Sequence, residues 1–472
     1  MRLGQLMDGA PAPAAGVEIG SLAYDNRQVE PGSLYFCVPG FSSDGHRFAP
    51  DAVAHGAAAL VVERPLGLGV PEVPVPSVRA AMAPAAARFH GDPTAQLEVV
   101  GVTGTNGKTT TAFLVRALLE AAGRSCALLG TVKAVIGGKA RDAARTTPEA
   151  IDLQRDFRAM LEAGDEACAM EVSSHALRLH RADAIHWAAA IFTNLTQDHL
   201  DFHPTMDDYF EAKRELFTAC PRVAVINVDD SYGRRLTEEW PEALTISLER
   251  EATYRALEVE SGFAGAELLV VGPEGEVRLR SPLPGRFNAQ NVLCAVAAVR
   301  ALGVEMNTIA AALPDAGRVP GRFEPVDEGQ GFAVLVDYAH TPDSLENVLR
   351  AARDLTGGRL HCVFGCGGDR DRGKRPLMGE IAARLADRPI VTSDNPRSED
   401  PEAIIQEILV GAGEGTEWLV DRREAIALAL EGADAGDVVV VAGKGHEQGQ
   451  EFAGGRKELF DDVSVVREAL RG

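Results

Sequence analysis

Gly104-Thr105-Asn106-Gly107-Lys108-Thr109-Thr110 brings together the residue types that hold the phosphates of a nucleotide. Glycines let backbone N–H groups converge on an anion, and a helix starting there adds partial positive charge. A lysine placed like Lys108 reaches β- and γ-phosphates, and a hydroxyl placed like Thr109 can ligate Mg²⁺. The usual spacing puts a further glycine where Val102 stands, so the loop is a variant whose nearest glycines are Gly101 and Gly104. Its flanks fit the role: the apolar run 97–102 predicts a buried strand and 111–119 a helix. The competing reading is a Gly-rich turn with a surface lysine.

Other chemistry-bearing residues cluster where apolar runs stop. Glu171 closes the run 167–172 and is a hard oxygen ligand of the kind Mg²⁺ takes, although a lone carboxylate there also reads as a cap. Segment 192–203 concentrates His and Asp. There His199 could ligate a second cation or meet a substrate phosphate, while His203 reads equally well as structural. Lys213 lies in the amphipathic stretch 209–217, where spacing alone predicts a solvated charge. Only seven of the 47 basic residues are lysines, yet Lys108, Lys213, Lys374 and Lys444 all fall in the segments singled out. Lysine offers a compact ammonium or a neutral amine that arginine cannot.

The elements that must position these groups alternate between strand and helix. A chain of 472 residues suggests about three domains. We read 1–92 as a first unit, 93–318 as a central one and 319–472 as a third. The fold class expected is α/β, with a central P-loop-type parallel sheet, a C-terminal doubly wound Rossmann-like domain and a smaller N-terminal α/β domain. Antiparallel additions are expected around 252–281. In the third unit a helix is predicted from Ser344 and another from Leu377. Asp337–His340, Gly365–Lys374, Asp394–Arg397 and Gly443–Glu447 follow its predicted strands, where ligands of doubly wound sheets bind.

Composition narrows the function classes. The net charge of −22 argues against broad nucleic-acid binding, although local basic groups can still line a cleft for an anionic substrate. No apolar run reaches the ~18 residues of a membrane span, and the first residues lack a signal-peptide pattern, so a cytoplasmic protein without membrane insertion is expected. The seven cysteines are scattered and contain no Cys-x-x-Cys pair, which predicts reduced thiols.

Taken in order, these segments resemble the Mur ligases, ATP-dependent amide-forming enzymes of peptidoglycan synthesis. The resemblance is carried by Gly104–Thr110, Glu171–Leu177, Thr193–His203, Lys213, Gly285–Asn291, Gly321–Glu324 and Asp337–Pro342, and covers essentially the whole chain. It narrows to the tripeptide-forming, diaminopimelate-adding type through Asp25-Asn26-Arg27, Pro31–Phe36, Gly365–Pro376 and Asp394-Asn395-Pro396-Arg397. The substrates it implies are UDP-N-acetylmuramoyl-L-alanyl-D-glutamate and meso-diaminopimelate, with ATP and Mg²⁺, acted on by a monomer.

Site roles follow from that resemblance position by position. Tyr24, Asn26, Phe41, Ser42 and Ser43 match contacts to the uridine nucleotide, with Asn26 replacing a common serine. Thr146, Thr147, Ser173 and Arg181 match contacts to the muramoyl dipeptide, and Leu179 replaces a residue that is polar in some relatives. Gly104, Thr105, Asn106, Gly107, Lys108, Thr109 and Thr110 hold the ATP phosphates, with Asn288, Arg322 and Asp337 at adenine, phosphate hinge and ribose. Thr109, Glu171, His199 and a carbamate formed on Lys213 form the metal set, and Lys108, Lys213 and His199 the catalytic one. Arg375, Asp394, Asn395, Pro396, Arg397, Gly443 and Glu447 form the diaminopimelate site. A guanidinium at Arg397 suits a distal carboxylate that lysine lacks, and Glu447 suits a substrate ammonium. The implied reaction activates the D-glutamate carboxylate as an acyl phosphate, which the amine then attacks, with domain closure between the steps. The same ligase using L-lysine stays open, as do the more distant folylpolyglutamate synthases and a nucleotide-driven switch or motor.

Overall fold

The computed structural model describes residues 1–40, 43–143 and 145–471. The chain forms two compact units that interleave along the sequence. The first comprises Met1–Thr103, Gly123–Ala190 and Ala212–Arg222, and the second Gly104–Ala122, Ile191–Glu211 and Val223–Gly472. The boundary thus falls immediately before the phosphate loop.

In the first unit, Ser21–Ala23, Ser33–Phe36, Ala59–Val62 and Glu72–Pro74 form a parallel sheet in sequence order. Both faces are covered, which is why its central strands are continuously apolar rather than alternating. Leu34, Phe36 and Val61 pack with Val78 and Met82 of the helix Val78–Phe89. Tyr35, Leu60 and Val62 pack on the other side with Ala49 and Ala52. Further along, Glu98–Thr103 and Cys126–Leu129 flank Ala167–Glu171 in parallel, and Ala134–Ile136 and Lys139–Arg141 extend that sheet antiparallel. Val102 is paired with Glu171, so the carboxylate stands at the strand end that leads into the phosphate loop.

In the second unit, the helix Lys108–Ala121 packs on the helix Arg286–Ala301. It begins three residues earlier than the apolar spacing predicts, so Lys108 opens it. Ala224–Asn227 and Leu244–Ser247 run parallel and continue into the antiparallel meander Tyr254–Gly262, Gly265–Gly272 and Gly275–Ser281. The rest is a six-stranded sheet in the spatial order Glu324–Val326, Ala333–Asp337, Val438–Ala442, Leu360–Phe364, Arg388–Thr392, Glu417–Leu419. Only its first strand is antiparallel. Leu335, Cys362 and Val440 face the helices Pro342–Asp354, Lys374–Leu385 and Pro401–Ala412, whereas Val334, Val363 and Val439 face Arg422–Glu431 and Asp462–Arg471. Val438–Ala442, the last long strand along the chain, lies between Ala333–Asp337 and Leu360–Phe364; those two continue into helices on one face, whereas the helix Asp462–Arg471 that follows it lies on the other. That is the topological switch beyond which such sheets bind ligands.

Two helix starts differ from expectation. Thr341 caps the helix Pro342–Asp354 through a reciprocal capping box with Ser344, so the helix begins before Ser344. The helix predicted from Leu377 begins at Lys374, which puts Lys374 and Arg375 on its first turn. Among the described residues no helix is long and apolar enough to cross a membrane.

Candidate active site

The phosphate loop is braced from one side by the segment after Phe192. Asn194 Oδ1 accepts the Asn106 N–H at 2.8 Å, Thr193 Oγ1 donates to the Asn106 carbonyl at 2.6 Å, and the Asn194 carbonyl accepts the Thr105 N–H at 2.9 Å. The Thr105 hydroxyl pairs with Tyr209 Oη at 3.2 Å. The bracing leaves no space for a side chain at Gly104, where φ is 148° and a Cβ would collide with Thr193 Oγ1. Lys108 turns its ammonium back onto the Gly104 and Thr105 carbonyls, at 2.9 and 2.8 Å, and so points to the space the loop encloses.

The adenine, hinge and ribose candidates lie in this same unit. Asn291 donates to Asn288 Oδ1 at 3.0 Å, and Asn288 donates to the Pro284 carbonyl at 2.7 Å. Arg322 donates to the Thr109 hydroxyl at 3.0 Å while its guanidinium lies 4.5 Å over the Tyr338 ring. Asn106 donates to Asp343 at 2.7 Å, a second link from the loop to the six-stranded sheet region. Asp337 accepts one backbone N–H on each oxygen, from Phe323 at 2.6 Å and Ala339 at 2.7 Å. Burial still pushes its carboxyl up to about 6, against Arg322 and those two N–H groups.

His199 sits with φ 55° and its ring is 3.3 Å from Asp198. Burial raises the Asp198 carboxyl, but the charges of His199, His340 and Lys374 outweigh it and hold the group at about 2. His203 is buried and stacked on Tyr209, which accords with the structural reading.

The predicted diaminopimelate residues meet at the strand ends of the six-stranded sheet. Asn395 donates to Glu447 at 2.8 Å and accepts from Lys444 at 2.9 Å, and Lys444 also donates to Glu447 at 3.1 Å. Asp394 is buried, yet Lys444 and Arg422 hold its carboxyl below the usual range. Arg397 adopts φ 52°, donates to the Gly368 carbonyl at 2.8 Å and pairs with Glu451 at 3.2 Å. Pro396 precedes it in the same turn, its carbonyl accepting the Glu399 N–H at 3.0 Å. Arg375 is placed differently: it is fully buried and its guanidinium is taken up by Glu399 and Glu407, at 2.8 and 2.7 Å. Sequence reasoning left out Arg370, which is exposed, forms no ion pair among the described residues and brings Cγ within 3.8 Å of the Cβ position of Gly367, beside Arg397. It also left out Tyr338 and Lys444 as site residues, although the scarcity of lysine had marked Lys444.

In the first unit, Glu171 accepts the Thr131 N–H at 2.7 Å and the Thr131 hydroxyl at 3.0 Å, and Thr131 pairs with Thr146 at 3.1 Å. Thr147 donates to the Glu171 carbonyl at 2.9 Å and accepts the Ser173 N–H at 3.1 Å. Arg181 pairs with Glu149 at 2.8 Å, and Tyr24 donates to Asp152 at 2.6 Å. The predicted substrate residues Tyr24, Thr146, Thr147, Ser173 and Arg181 thus come to the N-terminal end of the helix Ala150–Ala163 and the loop before it. Asn26 opens a short 3₁₀ turn capped by Asp25, and Ser43 is exposed. Phe41 and Ser42 lie outside the described residues. Lys213 is fully buried in the helix Met206–Thr218, contrary to the solvated charge its spacing predicts. Among the described residues no group of three or more His, Cys, Asp or Glu forms a ready cation cage.

Family models match in three stretches: "Mur ligase family, catalytic domain" at residues 18–90, "Mur ligase middle domain" at 102–299 and "Mur ligase, glutamate ligase domain" at 321–445. A relative from Geobacillus thermodenitrificans, named UDP-N-acetylmuramoyl-L-alanyl-D-glutamate--2,6-diaminopimelate ligase, is 47% identical over 96% of this chain and 95% of its own. One of the same name from Streptomyces coelicolor is 47% identical over 99% and 96%. A solved structure titled as that same ligase superposes with a TM-score of 0.72 at 34% identity, over 100% of this chain and 99% of the other. The three matched domains, the near-complete coverage and the shared fold lead to one conclusion: the chain belongs to the Mur ligase family.

Proposed function

We propose that the protein is the ATP-dependent ligase that adds meso-diaminopimelate to UDP-N-acetylmuramoyl-L-alanyl-D-glutamate in peptidoglycan synthesis. The observation that carries this reading is that one compact unit holds both the phosphate loop and the strand-end cluster Asp394–Arg397 with Gly443–Glu447, linked through Arg322, which donates to Thr109 and lies over the Tyr338 ring, whose hydroxyl donates to Glu447 at 3.4 Å. The names of relatives 47% identical over nearly the whole chain support the substrates. The three domains are proposed at 1–92, 93–318 and 319–472, and each family-model match falls inside one of them.

A carboxylate is a poor electrophile, so the D-glutamate carboxylate first attacks the γ-phosphate of ATP, forming an acyl phosphate and releasing ADP. The loop N–H groups and Lys108 hold the charge that develops on the transferred phosphoryl group. The amine of diaminopimelate then attacks the acyl carbonyl, an amide forms and phosphate leaves. Asn288 and Asp337 are assigned to adenine and ribose. The first unit's Tyr24, Asn26, Phe41, Ser42, Ser43, Thr146, Thr147, Ser173 and Arg181 are assigned to the UDP-dipeptide.

Mg²⁺ supplies Lewis-acid neutralisation of phosphate charge when bound. By the chemistry of their donors, Thr109 and Glu171 each offer a hard oxygen of the kind such an ion takes. His199 and Lys213 complete the proposed set, the latter as a carbamate. Full burial of Lys213 supports this, since it sets the residue apart from the solvated lysines usual on a helix surface.

At the amino-acid site, Glu447 is assigned to a substrate ammonium and Arg397 to the distal carboxylate. Arg370 joins Arg397 on that wall, because the two carboxylates on Arg375 leave it in a supporting role. The reading includes a cytoplasmic monomer, which sedimentation and fractionation would check. The deciding assay is phosphate release from ATP with purified UDP-dipeptide and either meso-diaminopimelate or L-lysine. Release that requires the dipeptide and meso-diaminopimelate together supports the proposal. Turnover with lysine, or turnover with no amino acid, refutes it.

A further inference from the structure

Arg422 opens the helix Arg422–Glu431, and both it and its partner Asp462, which opens the helix Asp462–Arg471, are fully buried. Nε and Nη2 of Arg422 donate to the two Asp462 oxygens at 2.8 and 2.7 Å, and Nη2 also donates to the Ala442 carbonyl at 3.0 Å. Among the described residues the third nitrogen, Nη1, has no hydrogen-bond partner. Stability gives little reason for such a pair. The cost of desolvating two ions offsets their attraction, and apolar replacements of similar volume often fold as well or better.

What the pair touches is the end of the switch-point strand. Ala442 is the last residue of Val438–Ala442, and Gly443 follows with φ 120°. A Cβ on Gly443 would lie 2.5 Å from Asp394 Oδ2 and 3.9 Å from Arg422 Nη2. Asp394, Gly443 and Arg422 therefore converge on one buried place, and Lys444 and Glu447 continue the same loop. The charge of Arg422 acts on Asp462, Asp394 and Glu447, and that of Lys444 on Asp394 and Glu447. Three carboxylates face two permanent cations; His340 also bears on Asp394, but burial holds its imidazole below the usual range, so at neutral pH the surplus is negative.

We propose that the Arg422–Asp462 pair is a positioning device for the amino-acid substrate. It fixes the Ala442–Gly443 turn and the Asp394 carboxylate, so that the strand ends keep an unmatched negative charge for the substrate's ammonium. The inference rests on the amino-acid-site reading above. Neither residue touches substrate; both act through the turn and through Asp394.

The test uses the full-length enzyme carrying Arg422→Met with Asp462→Leu, an apolar pair of similar volume. The double variant is expected to melt close to the wild type, with the KM for meso-diaminopimelate raised about tenfold or more and those for ATP and the UDP-dipeptide within about twofold. An unchanged amino-acid KM, or all three rising together in a folded variant, overturns the proposal. Should the double variant fail to fold, Arg422→Lys keeps the charge without the two-pronged bond and is judged by the same split. Should the wild type use L-lysine instead, the functional reading fails on its own, and the split measured with lysine still decides the role of the pair.

Discussion

The Arg322 guanidinium donates to the Thr109 hydroxyl at 3.0 Å, joining residues 213 positions apart in the chain. Thr109 stands on the first turn of the phosphate helix, and Arg322 precedes the six-stranded sheet and stacks on Tyr338. The group expected to bear on transferred phosphate is thus oriented from the region that carries the amino-acid cluster. Arg322→Met removes both the hydrogen bond and the charge. ADP release with all substrates present is expected to fall on the order of 100-fold in kcat, with a small change in melting temperature. A variant that keeps wild-type kcat would show that the link is only structural.

Gly104 is fixed by conformation and by space. Its φ of 148° belongs to a region that residues with a Cβ avoid, and Thr193 Oγ1 occupies the place a Cβ would take. Gly104→Ala should cost about 1–3 kcal/mol of stability and displace the Thr193–Asn106 bond, so nucleotide affinity falls with it. Calorimetric titration of ADP alongside denaturant unfolding checks both. Unaltered ADP binding would mean that the loop accommodates the methyl group.

Arg397 has one backbone acceptor and one half-exposed carboxylate partner, Glu451, so its guanidinium retains capacity for a substrate carboxylate. Arg397→Ala is expected to raise the KM for meso-diaminopimelate by about 10–100-fold, the loss of roughly 1–3 kcal/mol for a charge-assisted bond, while the KM for ATP stays put. Steady-state kinetics with each substrate varied in turn separates the two. Equal losses in both would remove Arg397 from the amino-acid site.

Asp337 gives a pH signature with a definite sign. Its folded-state carboxyl titrates at about 6, above its unfolded value, because burial outweighs the help from Arg322 and two N–H groups. The folded protein therefore binds the proton more tightly, and this residue's contribution falls by up to about 3 kcal/mol as pH rises from about 4 to about 6. Nucleotide-free wild type should show that downward slope relative to Asp337→Asn in denaturant unfolding across the window. Parallel curves would place the Asp337 carboxyl in the ordinary range.

How much of the site was legible in the chain varies with how local its cause is. The phosphate loop and the four strand-end clusters could be read from the sequence because apolar strands, glycine turns and helix starts are short-range patterns. The capped start at Thr341 and the early start of Lys374–Leu385 were missed because capping and tertiary packing, not apolar spacing, set those ends. Lys213 illustrates the reverse error: its helical spacing predicts solvent, and packing buries it completely.

By itself the sequence determined the α/β alternation, the variant anion loop after Val102 and the family to which its motifs point, since each depends on residues close together in the chain. Only the tertiary structure decided which charges meet: that Glu399 and Glu407 occupy Arg375, that Arg397 and Arg370 line the turn at Gly367, and that Arg422 and Asp462 close on each other beneath Gly443. The physical reason is that a charge is neutralised by what lies within a few ångströms of it under low exposure, and chain separation carries no information about that distance.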